Sequence, residues 1–194
     1  MADAKANILV VFYSRDGSVE ALAKAVSEGA RQAGAEVRLR RVPDLVSPDV
    51  MAKVPGWEER SKKMLAEYGS PTHADVEWAD GIMLGTPTRF GNTSAELKAF
   101  IDSLGGLWFQ GKLNGKAAGA FTSTLGPHGG NETTVVSLFI PMAHLGLSSC
   151  RPDTLTKRLF KVTARPTEHH RLPDRTALHR LPTSSWSRNI TVHV

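Results

Sequence analysis

Small hydroxyls and glycines gather at three points of this 194-residue chain, and each point follows an apolar run. The first is Tyr13-Ser14-Arg15-Asp16-Gly17-Ser18-Val19-Glu20, set between the apolar Ile8–Phe12 and a helix-forming run from Ser18 to Ala33. A strand-to-helix turn of this kind presents the first amides of a helix and the positive end of its dipole at one place. Ser14 and Ser18 add hydroxyls, and Gly17 allows close approach of the backbone. Such a turn can hold a phosphate. An ordinary helix cap by Ser14 or Asp16 explains the same residues, and both readings stay open on this stretch alone. The spacing is neither G-x-G-x-x-G nor G-x-x-x-x-G-K-[ST].

The second point, Thr86-Pro87-Thr88-Arg89-Phe90-Gly91-Asn92, follows the apolar Gly81–Gly85. The third, Ser123-Thr124-Leu125-Gly126-Pro127-His128-Gly129-Gly130, follows the small-residue run Lys116–Thr122. No acid pair, Ser-His-Asp order or metal-spaced histidine cluster accompanies them. Hydroxyls and glycines without acid–base machinery suit a bound cofactor that carries out the chemistry itself.

The elements that must position these loops alternate. Ile8–Phe12 reads as a buried parallel strand. The following helix lines up Val19, Leu22, Ala23, Val26 and Ala30, and Gly34 ends it. Val37 and Leu39 alternate with Arg38 and Arg40, as on a half-exposed edge strand. From Pro43 to His73 no clean period appears; a helix over Lys53–Glu67 is opposed by Pro55-Gly56, so a largely irregular excursion is expected. A helical turn at Val76–Asp80 precedes the strand Gly81–Gly85. Ser94 caps a helix striped by Leu97, Phe100, Ile101 and Leu104, which Gly105-Gly106-Leu107-Trp108 closes. Asn131 opens another helix with Val135, Leu138, Phe139 and Met142 on one face; Pro141 is a possible kink and His144 stands in the last turn. The alternation predicts an α/β fold with a parallel sheet, whose ligand lies beyond the carboxyl ends of the strands. All three polar loops fall on that edge.

Composition narrows the classes. One cysteine, Cys150, rules out a disulfide framework and suits a reducing compartment, so a cytoplasmic protein is expected. No run is long enough to span a membrane. The net charge of +5 points at first to nucleic acid, but from Cys150 on lie nine of the 24 basic residues and only three of the 19 acidic ones. The body is near-neutral, and nucleic acid ranks last among the expected partners.

The stretches Tyr13-Ser14 with Gly17, Gly85-Thr86-Pro87-Thr88-Arg89-Phe90-Gly91-Asn92, Gly105-Gly106-Leu107-Trp108, Phe121-Thr122-Ser123-Thr124, His128-Gly129-Gly130 followed by Glu132-Thr133-Thr134, and Ala143-His144 with Gly146 resemble the WrbA family. These are flavodoxin-like, FMN-dependent NAD(P)H:quinone oxidoreductases. The resemblance runs over about residues 7–147. It implies a doubly wound parallel sheet of order 2-1-3-4-5, FMN as cofactor, NADH or NADPH as co-substrate, a quinone as substrate and a homo-tetramer. It also implies that Ser14, Arg15, Asp16, Gly17, Ser18 and Val19 hold the FMN phosphate. Thr88, Arg89 and Phe90 would lie along the flavin, as would Ser123, Thr124, Leu125, Gly126, Pro127 and His128. His144 would approach from a neighbouring subunit, and Trp108 would wall the quinone pocket. Two departures matter. Asp16 stands where the family often has an aromatic residue that touches nicotinamide nucleotide, and Leu125-Gly126-Pro127 replaces a more polar sequence. Plainer roles are open too: a surface ion pair for Arg89, core packing for Phe90 and Trp108, a helix terminus for His144, and loop backbone bonding for Thr124 and His128.

The resemblance stops after Leu147. Where the family continues with a strand, a Pro-Pro-Gly-Tyr turn, a Pro-Tyr-Gly-Ala segment and a last helix, residues 148–194 are rich in Arg, Pro, His and Thr. With the reading frame moved by one base and permissible codons, Leu147 to His170 reads V-I-V-P-P-G-Y-T-D-E-A-A-V-Q-G-D-G-S-P-Y-G-A-S. Both missing motifs return in order. The expectation is therefore a flavin domain over 1–147 and an aberrant, poorly ordered basic tail, with the fifth strand and last helix lost or replaced. A non-enzymatic FMN-binding regulatory protein, an inactive frameshifted relative, and a one-electron carrier of the flavodoxin type are the competing functions.

Overall fold

The computed structural model describes residues 5–126 and 128–149. Five parallel strands form one sheet in the order β2-β1-β3-β4-β5. They are β1 (Asn7–Phe12), β2 (Glu36–Arg41), β3 (Gly81–Pro87), β4 (Ala117–Ser123) and β5 (Ser148–Ser149). The expected strand order and flavodoxin-like fold hold.

Alternation along β1 divides the core. Leu9 and Val11 face a layer with Leu97, Ile101, Leu107, Leu138 and Met142, from helices α5 (Ala95–Ser103), α6 (Gly105–Phe109) and α7 (Asn131–His144). Val10 and Phe12 face the other way, onto Val19, Leu22 and Val26 of α1 (Ser18–Gln32) and onto Met64 and Tyr68 of α3 (Trp57–Tyr68). Phe12 and Tyr68 meet edge to face at 5.3 Å. Burial on both faces is why β1 reads as an unbroken apolar run. β2 sits at the edge, as its alternation with arginine predicts.

The excursion after β2 is more ordered than expected. It contains α2 (Pro48–Met51) and α3, and α4 (His73–Trp78) follows. Pro48 occupies the first helical position of α2, where a missing amide costs nothing. Pro55-Gly56 precedes α3 rather than interrupting it; Gly56, at φ 72, is the turn that opens the helix. The buried face of α3 mixes Trp57, Ser61, Met64 and Tyr68, and its polar members hide the helical period. α4 starts at Thr72, whose hydroxyl accepts the Asp75 amide at 3.1 Å while the Asp75 carboxylate accepts the Thr72 amide at 3.1 Å.

Gly105-Gly106-Leu107-Trp108 forms the short helix α6 rather than a plain closing turn, and Pro141 lies inside α7 without ending it. The fifth strand is present but short: Ser148 and Ser149 pair with Ala117 and Ala118, and both are exposed. Two serines thus stand where an aliphatic strand was expected to be replaced. Pro127 and the tail from Cys150 onward lie outside the described residues. Among the described residues no helix is long and apolar enough to cross a membrane.

Candidate functional site

The first loop turns directly from the end of β1 into α1. Tyr13 and Ser14 are buried at the carboxyl end of β1, and the Tyr13 amide donates to the Gly85 carbonyl of β3 at 2.9 Å. The Gly17 amide donates to Ser14 Oγ at 3.0 Å. Gly17 has φ 91, a left-handed conformation that favours glycine, and α1 begins directly after it. The intrahelical ladder starts with the Ala21 amide on the Gly17 carbonyl, at 3.0 Å, so the first-turn amides precede it. Neither Ser14 nor Asp16 caps α1; the residue in that position is Gly17, with no side-chain cap. The acid of the first turn, Glu20, is occupied by the Tyr68 hydroxyl at 2.6 Å and by Lys24 at 3.1 Å.

The other two loops arrive beside each other. The Thr88 amide donates to the Ser123 carbonyl at 3.1 Å, and Thr122 Oγ1 donates to the Thr86 carbonyl at 2.7 Å. Thr88 Oγ1 lies 2.8 Å from Thr134 Oγ1 of α7 and accepts the Gly91 amide at 3.2 Å. Arg89 and Asn92 exchange both backbone bonds, at 2.9 and 3.1 Å, across a tight turn whose tip is Phe90-Gly91. Phe90 has φ 55, and its side chain is fully exposed. A left-handed aromatic residue thrust into solvent is not a core residue. Arg89 is partly buried and donates to the Thr88 carbonyl at 3.2 Å. Thr124 is buried and bonds the Gly126 carbonyl at 2.6 Å, while Leu125 and His128 are exposed.

His144 and Trp108 do not join these loops within one chain. α7 leaves the third loop and runs back to the amino edge of the sheet, where the Gly115 amide bonds the Gly146 carbonyl at 2.9 Å and the Ser148 amide bonds the Lys116 carbonyl at 2.9 Å. His144, in the last turn of α7, is exposed at that opposite edge. Trp108 lies in α6, shortly before β4 begins, and is 52% exposed.

Sequence reasoning missed what lies under the first loop. Asp44, from the turn after β2, accepts four side-chain donors: the Tyr13 hydroxyl at 2.8 Å, Trp57 Nε1 at 2.9 Å, Arg41 Nη2 at 2.7 Å and the Ser61 hydroxyl at 2.5 Å. Burial acts to raise the Asp44 carboxyl, and the bonds from Ser61, Arg41 and Tyr13 outweigh it and hold it below the ordinary carboxylate range. Burial and the bond to Asp44 hold Tyr13 as a neutral phenol well above its ordinary value. The only signal in the sequence was the polar intrusion of Arg41 and Asp44 beside Val42-Pro43.

The donor set fits FMN. Ser14, the Gly17 turn and the start of α1 suit a phosphate, and Arg15 Nε is buried there without a hydrogen-bond partner among the described residues, 3.6 Å from Asp16. Thr88 and Ser123–Thr124 give a hydroxyl and backbone wall at the same sheet edge. Among the described residues no group of three or more His, Cys, Asp or Glu side chains could hold a metal ion.

Fold and site together define a flavodoxin-like protein with three hydroxyl-rich loops at the carboxyl edge of its sheet. The chain belongs to the NADPH-dependent FMN reductase family, whose model matches residues 7–157. It is 46% identical to NAD(P)H dehydrogenase (quinone) 3 of Rhizobium meliloti (strain 1021), over 72% of this chain and 63% of that protein. It is also 46% identical to NAD(P)H dehydrogenase (quinone) of Rhodopseudomonas palustris (strain TIE-1), over 73% of this chain and 68% of that protein. The match thus spans about two thirds of these relatives' length, 63% in the first case. Among solved structures, a WrbA-like flavodoxin from Agrobacterium tumefaciens superposes with a TM-score of 0.53 at 28% identity, covering 73% of this chain and 74% of that one.

Proposed function

We propose that this chain is an FMN-dependent NAD(P)H:quinone oxidoreductase of the WrbA type, acting in the cytoplasm. The carrying observation is the meeting of three loops at one sheet edge, with Ser14 and Gly17 shaped for a phosphate and Thr88 bonded to Ser123 beside them. The names of the curated relatives support the same reading. Bound FMN would supply two-electron exchange between a nicotinamide and a quinone.

The residues of the chain then have distinct tasks. Ser14 to Val19 bind the phosphate. Thr88, Arg89 and Phe90 flank one side of the ring, and Ser123 to His128 the other. The exposed ring of Phe90 limits access by water. Trp108 and His144 complete the pocket from a second copy of the chain, in a homo-tetramer. Their place at the amino edge supports this, because no single copy brings them to the loops, and Phe109 and Ile140 leave apolar surface exposed beside them.

Titration of the purified protein with FMN, read by flavin absorbance and fluorescence, tests the proposal. Stoichiometric binding followed by NAD(P)H-dependent benzoquinone reduction is expected. Flavin binding without turnover would favour a non-enzymatic FMN-binding partner protein. Absence of binding would overturn the reading.

A further inference from the structure

The short fifth strand and the buried ion pair Arg41–Asp44 lie outside the roles assigned so far. The ion pair carries an inference, because it is attached to the phosphate loop. Arg41 has no exposed surface, and its Nη2 donates both to Asp44 Oδ2 at 2.7 Å and to the Ser14 carbonyl at 3.1 Å. Asp44 has all of its acceptor positions filled, with Tyr13 and Trp57 on Oδ1 and Arg41 and Ser61 on Oδ2.

The consequence follows from the rigidity of the peptide. In a trans peptide the carbonyl and the next amide point in opposite directions. Drawing the Ser14 carbonyl inward to Arg41 turns the Arg15 amide the other way, toward the outer side of the loop. The following peptide is fixed in the same manner: Arg60 Nε, from α3, donates to the Arg15 carbonyl at 3.4 Å and so turns the Asp16 amide away from Arg60. Arg15 itself lies over the Trp57 ring at 5.1 Å, and Trp57 is one of the donors to Asp44. Two arginines therefore grip two successive carbonyls, and one carboxylate anchors the inner arginine and the helix that carries the outer one.

We propose that Arg41, anchored by Asp44, is a positioning residue for the cofactor phosphate, orienting the loop amides, with α3 tied to the same anchor through Trp57 and Ser61. This inference rests on the FMN-binding reading above and adds residues that touch the loop and not the ligand.

The test compares FMN with riboflavin, which differs by the phosphate alone. Dissociation constants for both are measured on the wild-type chain and on Asp44→Asn, Arg41→Lys and Ser61→Ala. Arg41→Lys retains the charge but loses the guanidinium Nη2 that donates to both the Ser14 carbonyl and Asp44. For Asp44→Asn and Arg41→Lys, FMN binding should weaken about 10-fold or more while riboflavin binding changes less than about 3-fold, so that discrimination between them falls. Ser61→Ala, which leaves the charge pair intact, should shift the same ratio by a smaller factor and serves if the buried variants do not fold. Equal weakening of both flavins would mark the pair as structural only and overturn the inference. An unchanged ratio in all folded variants would overturn it as well. A wild-type chain that binds neither flavin would overturn the FMN reading and the inference with it.

Discussion

Phe90→Gly separates stability from function, because the two should move in opposite directions. Phe90 is the sole non-glycine residue with positive φ among the described residues, at 55°, and its ring is fully exposed. A left-handed conformation costs an L-residue about 1–2 kcal/mol. Glycine removes that strain but adds about 0.5–1 kcal/mol of unfolded-chain freedom. No burial is lost from the chain's own core. The net effect on stability is about 0 to +1.5 kcal/mol, an unchanged Tm or a rise of up to about 6 °C. If the ring lies against the flavin, its loss removes about 0.5–1.5 kcal/mol of aromatic contact. FMN should then bind about 2- to 13-fold more weakly. Thermal melts of the flavin-free protein and FMN titrations of the same preparation measure both. A Tm that falls by several degrees with FMN affinity unchanged would refute the reasoning and show Phe90 to be a packing residue.

Other consequences are as direct. A Cβ added at Gly85 would fall on the buried Phe121 ring, so Gly85→Ala should cost about 1–3 kcal/mol in urea melts, and Phe121→Leu on that background should recover part of it. Asp75 is 4% exposed and bound by Arg38 and Arg40, each at 3.1 Å; burial acts to raise its carboxyl, but the bonds from Arg40 and Thr72 prevail and lower it. A lowered folded value places its contribution above the ordinary carboxylate pKa of about 3.9 and removes it as pH falls through the folded value. With its arginine partners about a third exposed, Asp75→Asn should cost about 1–2 kcal/mol at pH 7, and the gap to the wild type should narrow progressively as pH falls below about 4. The coding DNA across codon 147 should contain a single-base insertion or deletion whose reversal gives V-I-V-P-P-G-Y after the helix α7; an uninterrupted frame through this region would refute a frameshifted ending.

The sequence by itself determined the sheet and the loops on its carboxyl edge. Apolar runs such as Ile8–Phe12 leave few choices, since a strand covered on both faces must be apolar throughout. Strand-to-helix alternation then dictates which edge carries Ser14, Thr88 and Ser123. The stripe of Leu97 and Ile101, capped by Ser94, was equally plain, because period and cap are both local. The excursion was not legible in that way. Trp57, Ser61 and Tyr68 face inward for polar as well as apolar reasons, so the face of α3 does not read as hydrophobic. Its polar members are satisfied by Asp44 and Glu20, each far from them along the chain. Only the tertiary structure decided that Arg41 would lie beneath Ser14, and that Trp108 and His144 would stand at the opposite edge from the loops. A buried charge is tolerated only where its partners converge, and convergence of distant segments leaves no periodic trace in the sequence.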